Sequence, residues 1–263
     1  QKSNGMINVY PVRAFKDNYI WVLHDDVHAI AVDPGISDPV IHYLQTNKLK
    51  LVAILVTHHH HDHTGGISDL TKLFDIPVYG PQSDSIPDVT DVVSESEEIL
   101  IKTLGLKLTV LNIPGHTREH IAYYTDHPFQ GVFCGDTLFA CGCGRVFEGA
   151  HAQMHASLNK LSQLPNNTSV YCTHEYTLSN IRFAKCVDPE NQALLNFEML
   201  CNQLVTEQRP TLPTTIELEK AINPFLRCDQ PAIINCAQNH SKLRTINSNE
   251  VFSILRQWKD SFC

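Results

Sequence analysis

The chain has 263 residues, 43% of them hydrophobic and only 18% charged, enough apolar material for one large domain or two small ones and too little charge for a disordered polymer. The formal net charge of −8 argues against nucleic acid as a partner, since phosphate binding wants a basic face; a small anionic substrate needs only a few local cations. No apolar run approaches membrane-spanning length, and no secretory signal is visible.

Gln1 to Gly5 read as an expression scar and are left out of the fold. Three short strands are predicted at 7–12, 19–23 and 28–32, with turns at Asp17-Asn18 and Asp25-Asp26. Asp33-Pro34-Gly35 stops the third strand, and Ser37 or Asp38 caps a helix with Pro39 in its first turn. Leu51 to Val56 is a continuous, β-branched-rich run, the pattern of a strand covered on both faces. It ends in five histidines and one aspartate within six positions, followed by a helix near 67–74. A purification-type tract would not follow a buried strand or contain Asp62.

Residues 75–100, with three prolines and an acidic SESEE run, predict an edge strand and surface loops. Strands follow at 101–103 and 107–111 around a Leu104-Gly105 turn, then at 120–125 and 131–134. Residues 151–164 are expected to be helical, with a short strand at 169–172. Beyond His174 strand signals thin out, and helices are expected at 175–187, 190–207, 215–221 and 248–260. The predicted domains are therefore 6–174 and 175–263.

The histidine cluster offers His58, His60, Asp62 and His63 as ligands, with His59 and His61 pointing away. Three more candidates each follow a predicted strand: His116 in PGHT, Asp136 in CGDT and His174 in YCTHEY. Imidazole and carboxylate together suit zinc, iron or manganese. A catalytic zinc site uses three protein ligands and an open position, so seven ligands fit two such sites sharing one carboxylate. Two adjacent metals lower the pKa of a bound water toward neutrality and polarise a carbonyl, which points to hydrolysis.

These motifs resemble the metallo-β-lactamase superfamily, through THHHHDH at 57–63, GHT at 115–117, GDT at 135–137 and His174. Within it, GDTLFACGCGRVFEG at 135–149, NPFLR at 223–227 and RQWKDSF at 256–262 resemble the glyoxalase II, or hydroxyacylglutathione hydrolase, family of the bacterial branch. The resemblance implies an αββα four-layer sandwich with a C-terminal helical domain. It assigns His58, His60 and His116 to one metal, Asp62, His63 and His174 to the other, and Asp136 to both. It implies two divalent ions, zinc first and iron or manganese as alternatives, with Asp62 and Asp136 catalytic.

The implied reaction is S-D-lactoylglutathione plus water to D-lactate and glutathione, a step of methylglyoxal detoxification, by a metal-bridged hydroxide. The glutathione contacts map to Arg145, Phe147, His174, Tyr176, Arg256 and Lys259. Arg256 and Lys259 stand i, i+3 on a predicted helix and share a face. Eukaryotic members often carry Lys and Tyr in place of Arg145 and Phe147, and relatives often have Gly where this chain has Glu119. Cys141 and Cys143 lack CxxC spacing and read as structural. The nine cysteines are odd in number and without a paired framework, so a reducing cytoplasm is expected. The chain is expected to be a monomer. Rival readings are another hydrolase of the superfamily, an iron-dependent persulfide dioxygenase, and a binding protein with a spent site.

Overall fold

The computed structural model describes residues 6–244 and 246–262; the stretch read as a scar lies outside them. The contact pattern divides the chain into two compact units. One runs to Asn112 and resumes at Glu119–Gly135; the other takes Ile113–Arg118 and everything from Asp136 onward.

The first unit begins with β1 (Asn8–Ala14), β2 (Asn18–His24) and β3 (His28–Val32), then α1 (Asp38–Thr46), β4 (Lys50–Leu55), α2 (His61–Thr64) and α3 (Ile67–Leu73). It continues with β5 (Val78–Gly80), β6 (Asp91–Val92), β7 (Glu98–Ile101), β8 (Leu106–Asn112), β9 (Ile121–Thr125) and β10 (Gly131–Gly135). The first six strands form one sheet in sequence order, antiparallel through β3 and parallel from there on. Strands β7 to β10 form an antiparallel run.

The apolar run at β4 behaves as its composition requires. Leu51, Ile54 and Val56 join Val40 and Leu44 of α1 and Ile67 and Leu70 of α3 in one buried cluster. Ala53 and Leu55 alternate to the opposite face and are equally buried. On that side Tyr123 of β9 donates its hydroxyl to the carbonyl of Val56 at 2.6 Å, tying the antiparallel run to the end of β4.

The second unit holds a small hairpin, β11 (Leu138–Phe139) and β12 (Gly142–Cys143), then α4 (His151–Ser162), β13 (Ser169–Cys172), α5 (Thr177–Val187) and α6 (Gln192–Thr206). After these come β14 (Thr214–Thr215), α7 (Ile216–Ile222), α8 (Pro231–Ser241) and α9 (Ser248–Asp260). An aromatic cluster closes its core, with Phe183 against Phe225 and Trp258, and Phe225 against Phe252. Phe252 of α9 in turn stacks on His155 of α4 at 5.3 Å.

Several sequence expectations need correction. Ser37 stands before α1 but makes no capping bond; its hydroxyl donates to Asp69 at 3.4 Å instead. The strand expected at 101–103 lies earlier, at Glu98–Ile101, because Lys102–Leu104 tighten into a 3₁₀ turn that ends on Gly105 at φ 58. The histidine stretch is not all loop, since one helical turn, α2, forms at its end. Helix α8 is absent from the sequence expectation; Pro231 sits at its first position, where the N–H that proline lacks would have no helical partner anyway.

Candidate active site

In the first unit the ligand candidates are set by what happens where β3 and β4 end. Asp33 follows β3 at φ 54, a left-handed position that aspartate tolerates. It donates its N–H to Leu55 at 2.9 Å. Its carboxylate accepts the Thr57 N–H at 2.8 Å, the Thr57 hydroxyl at 2.6 Å and Nδ1–H of His63 at 2.8 Å. With its proton given to Asp33, the Thr57 hydroxyl accepts from Nδ1 of His58 at 2.9 Å. Both imidazoles are thus held in the tautomer that puts the lone pair on Nε2, the form a metal needs.

The turn α2 then brings Asp62 beside His63, with Oδ2 3.2 Å from Nε2. Asn18 holds the same carboxylate from the far side, donating Nδ2 to Oδ2 at 3.0 Å. Gly35 is required here, because a Cβ on it would lie 1.8 Å from the carbonyl oxygen of Asp62. His58 and His63 are buried, and the His60 ring lies 4.9 Å from that of His58. His61 is exposed, as its alternation predicted, whereas His59 is half-buried. His120 stacks on His58 at 4.4 Å.

In the second unit His116, Asp136 and His174 converge. Asp136 Oδ2 lies 3.5 Å from Nε2 of His116 and 3.3 Å from Nε2 of His174. Thr173 donates its hydroxyl to the other carboxylate oxygen at 2.5 Å. His116 donates Nδ1–H to the carbonyl of Arg145 at 2.8 Å, so its Nε2 also carries the lone pair. A carboxylate facing an imidazole lone pair is repulsive by itself, and a cation shared between them makes it favourable. The same holds for Asp62 and His63. The donor set therefore fits divalent metal.

Beside this triad, still within the second unit, lies a cavity of about 370 Å³. Its wall includes His116, Asp136, Phe139, Cys143, Gly144, Arg145, Phe147, Tyr176, Arg256 and Lys259. Tyr176 lies face to face on His174, ring centroids 4.7 Å apart. Phe147 is 62% exposed and meets His116 edge-on. The two cations of α9 differ in state. Arg256 is 3% exposed. It donates Nη1 to the carbonyl of Cys143 at 2.7 Å and Nε to Asp260 at 2.9 Å. Lys259 has its pKa lowered, first by burial and then by Arg256 and Arg145, so three positive charges lie near one another on the cavity wall. A crowd of cations that repel one another is a ready site for an anion.

Sequence reasoning overlooked Asp33, Thr57, Asn18, Thr173 and Asp260. Asp33 carries a signal, a polar residue at a strand end before Pro-Gly, that a strand stop alone does not explain. Asp260 stands four residues after Arg256, the spacing of a helical ion pair. Cys141 and Cys143 are buried, and burial raises both thiol pKa values.

Comparison with known proteins adds the following. Residues 15–174 match the family model described as the metallo-beta-lactamase superfamily, and residues 175–262 match the one described as the hydroxyacylglutathione hydrolase C-terminus. A hydroxyacylglutathione hydrolase of Nitrosomonas europaea is 51% identical over 257 residues, covering 98% of this chain and 97% of the relative. Among solved structures, the B3 metallo-beta-lactamase BLEG-1 superposes with a TM-score of 0.60 at 26% identity, over 84% of this chain and 99% of that one. TTHA1623, solved in a di-iron-bound form, superposes with a TM-score of 0.60 at 25% identity, over 83% and 100%. No helix among the described residues is long and apolar enough to cross a membrane.

Proposed function

The chain belongs to the hydroxyacylglutathione hydrolase family and has the metallo-β-lactamase fold with a C-terminal helical part; on that premise we propose that it hydrolyses S-D-lactoylglutathione to D-lactate and glutathione as a dinuclear metalloenzyme. His58, His60 and His116 are assigned to one divalent ion, Asp62, His63 and His174 to the other, and Asp136 to both. When bound, two such ions supply hydroxide at neutral pH and a Lewis acid for the thioester carbonyl. Zinc suits the donors, and so do iron and manganese; the di-iron form of TTHA1623 supports two ions of this kind on this fold.

The protein's own groups do the rest. Asp33, Thr57 and the Arg145 carbonyl hold three imidazoles in the ligating tautomer. Asn18 and Thr173 orient the two carboxylates, Asp62 and Asp136. The observation that carries the substrate reading is the cavity itself, whose one wall combines the ligand candidates His116 and Asp136 with the cations Arg145, Arg256 and Lys259. Glutathione has two carboxylates, which the cations suit, and its thioester would share the same cavity with the ligand candidates. Lys259 and Arg145 are the cations we assign to direct contact. Arg256 lines the same wall with its guanidinium largely committed to Cys143 and Asp260. Tyr176, packed on His174, and Phe147, at the mouth, are assigned to the peptide.

We place the functional boundary near residue 174, and the protein as a monomer in the cytoplasm, where glutathione is abundant and buried thiols such as Cys201 and Cys228 stay reduced. The test is steady-state hydrolysis of S-D-lactoylglutathione by the wild type and an Arg145→Ala, Lys259→Ala double variant. A KM raised about tenfold or more, with kcat little changed, is the expected loss of uniform binding. An unchanged KM would remove glutathione from this cavity.

A further inference from the structure

The segment from Leu138 to Gly144 contributes Phe139, Cys143 and Gly144 to the cavity wall and starts two residues after Asp136. It is a difficult piece of backbone. Its strands β11 and β12 have two residues each, and Cys141 between them sits at φ 61, in the left-handed region, without being glycine. So short a ladder cannot fix such a turn.

Side chains from three helical elements hold it instead. Asn180 of α5 donates to the carbonyl of Ala140 at 3.2 Å. Asn223, just after α7, donates to the carbonyls of Phe139 at 3.3 Å and Gly142 at 2.9 Å. Arg256 of α9 takes those of Cys143 and Gly144. Glu219 of α7 accepts the N–H of the left-handed Cys141 at 2.8 Å. Glu219 also accepts the Asn223 amide at 3.1 Å and the Thr214 hydroxyl at 2.5 Å. Glu219 and Asn223 are 0% exposed.

The carboxylate is therefore buried among neutral donors, with no cation from the described residues paired to it. Burying a charge in that way is costly, and a glutamine would satisfy most of the same positions. What the carboxyl group provides is one oxygen, Oε1, that accepts both Cys141 N–H and the Asn223 amide, while Oε2, held by the Thr214 hydroxyl, fixes its orientation. We propose that Glu219 is a positioning residue for substrate. Through Cys141 and Asn223 it sets the 138–144 backbone that walls the thioester cavity, and through that backbone the place of Arg256. The proposal rests on the glutathione reading of the cavity.

The experiment compares the wild type, Glu219→Ala and Glu219→Gln. It measures KM and kcat for S-D-lactoylglutathione, the Kd of reduced glutathione by calorimetry, and Tm. Glu219→Ala is expected to raise KM and Kd together by about tenfold, with kcat changed much less. Glu219→Gln keeps an oxygen for Cys141 N–H, and the Thr214 hydroxyl turns to accept from its amide, so both constants return to within about threefold of wild type. If the alanine variant does not fold, Glu219→Asp, which keeps the charge but shortens the reach by one methylene, carries the same test. A variant with lowered Tm and unchanged KM and Kd would overturn the proposal and leave Glu219 a purely structural group. The Arg145→Ala, Lys259→Ala variant run in parallel separates the two failures: if it too leaves Kd unchanged, the glutathione reading falls; if it raises Kd, only the role of Glu219 does.

Discussion

At the scale of single residues, the imidazoles of the candidate site are held by groups that are not themselves ligand candidates: Asp33 holds His63, Thr57 holds His58, and the Arg145 carbonyl holds His116. Asp33, Thr57, Asn18 and Thr173 are common residue types that sequence does not single out: Asp33, Asn18 and Thr173 act on residues 30, 44 and 37 positions away, and Thr57 on its neighbour through ordinary turn chemistry. Nor did sequence separate the states of Arg256 and Lys259, since one face of a helix gives position and not partners. Lys259 permits a direct test. Burial, then Arg256 and Arg145, lowers its pKa, so the ammonium is fully charged below that lowered value and is lost as pH rises through it, earlier than for an ordinary lysine. KM for S-D-lactoylglutathione should accordingly climb on the alkaline side in the wild type. Lys259→Arg, whose guanidinium stays charged there, should flatten that limb. Parallel profiles for the two proteins would show that Lys259 does not meet the substrate anion.

Among the elements, the long periodic ones were read well: β1 to β4, α4, α6 and α9 stand close to where pattern and caps put them. The misses were short or punctuated. One turn of helix at α2 has too few residues for a period, the two-residue strands β11, β12 and β14 depend on tertiary partners, and α8 starts on a proline. Helix α9 shows how local signals carry over to the cavity. Asn247 accepts the Glu250 N–H at 2.9 Å while Glu250 reaches back to the Asn247 N–H at 3.2 Å. The same helix buries Val251, Phe252, Leu255 and Arg256. Asn247→Ala should cost about 1 kcal/mol in denaturant unfolding. Because the cap lies two turns before Arg256, KM should stay near the wild-type value; a large KM change with no loss of stability would mean that α9 is coupled to substrate in some other way.

For the molecule as a whole, a formal charge of −8 coexists with three cations on the cavity wall, so the sign of the total charge was a guide to excluded partners and not to the substrate. The fold was legible down to its family because the motif-bearing loops are tied to recognisable strands, while the wiring of residues 138–144 was invisible. Glu219 also bears on global stability. Burial, opposed by bonds from Thr214, Cys141 and Asn223, raises its pKa from the ordinary 4.5 to about 7. The folded chain thus holds more proton than the unfolded chain between those values. This group's contribution to stability falls as pH rises from about 4.5 to about 7, by a total of about 3 kcal/mol. Unfolding free energy measured across that range should lose the corresponding slope in Glu219→Gln, and an identical slope in both proteins would place the proton elsewhere.

The measurement that bears most directly on the proposed dinuclear site is metal content taken together with turnover, in the wild type and in Asp136→Ala. The wild type should bind about two divalent ions per chain and release D-lactate from S-D-lactoylglutathione, with activity lost on chelation and restored by zinc, iron or manganese. Asp136→Ala should lose paired metal and most turnover. Full turnover in Asp136→Ala with both ions retained, or in wild type stripped of metal, would contradict it.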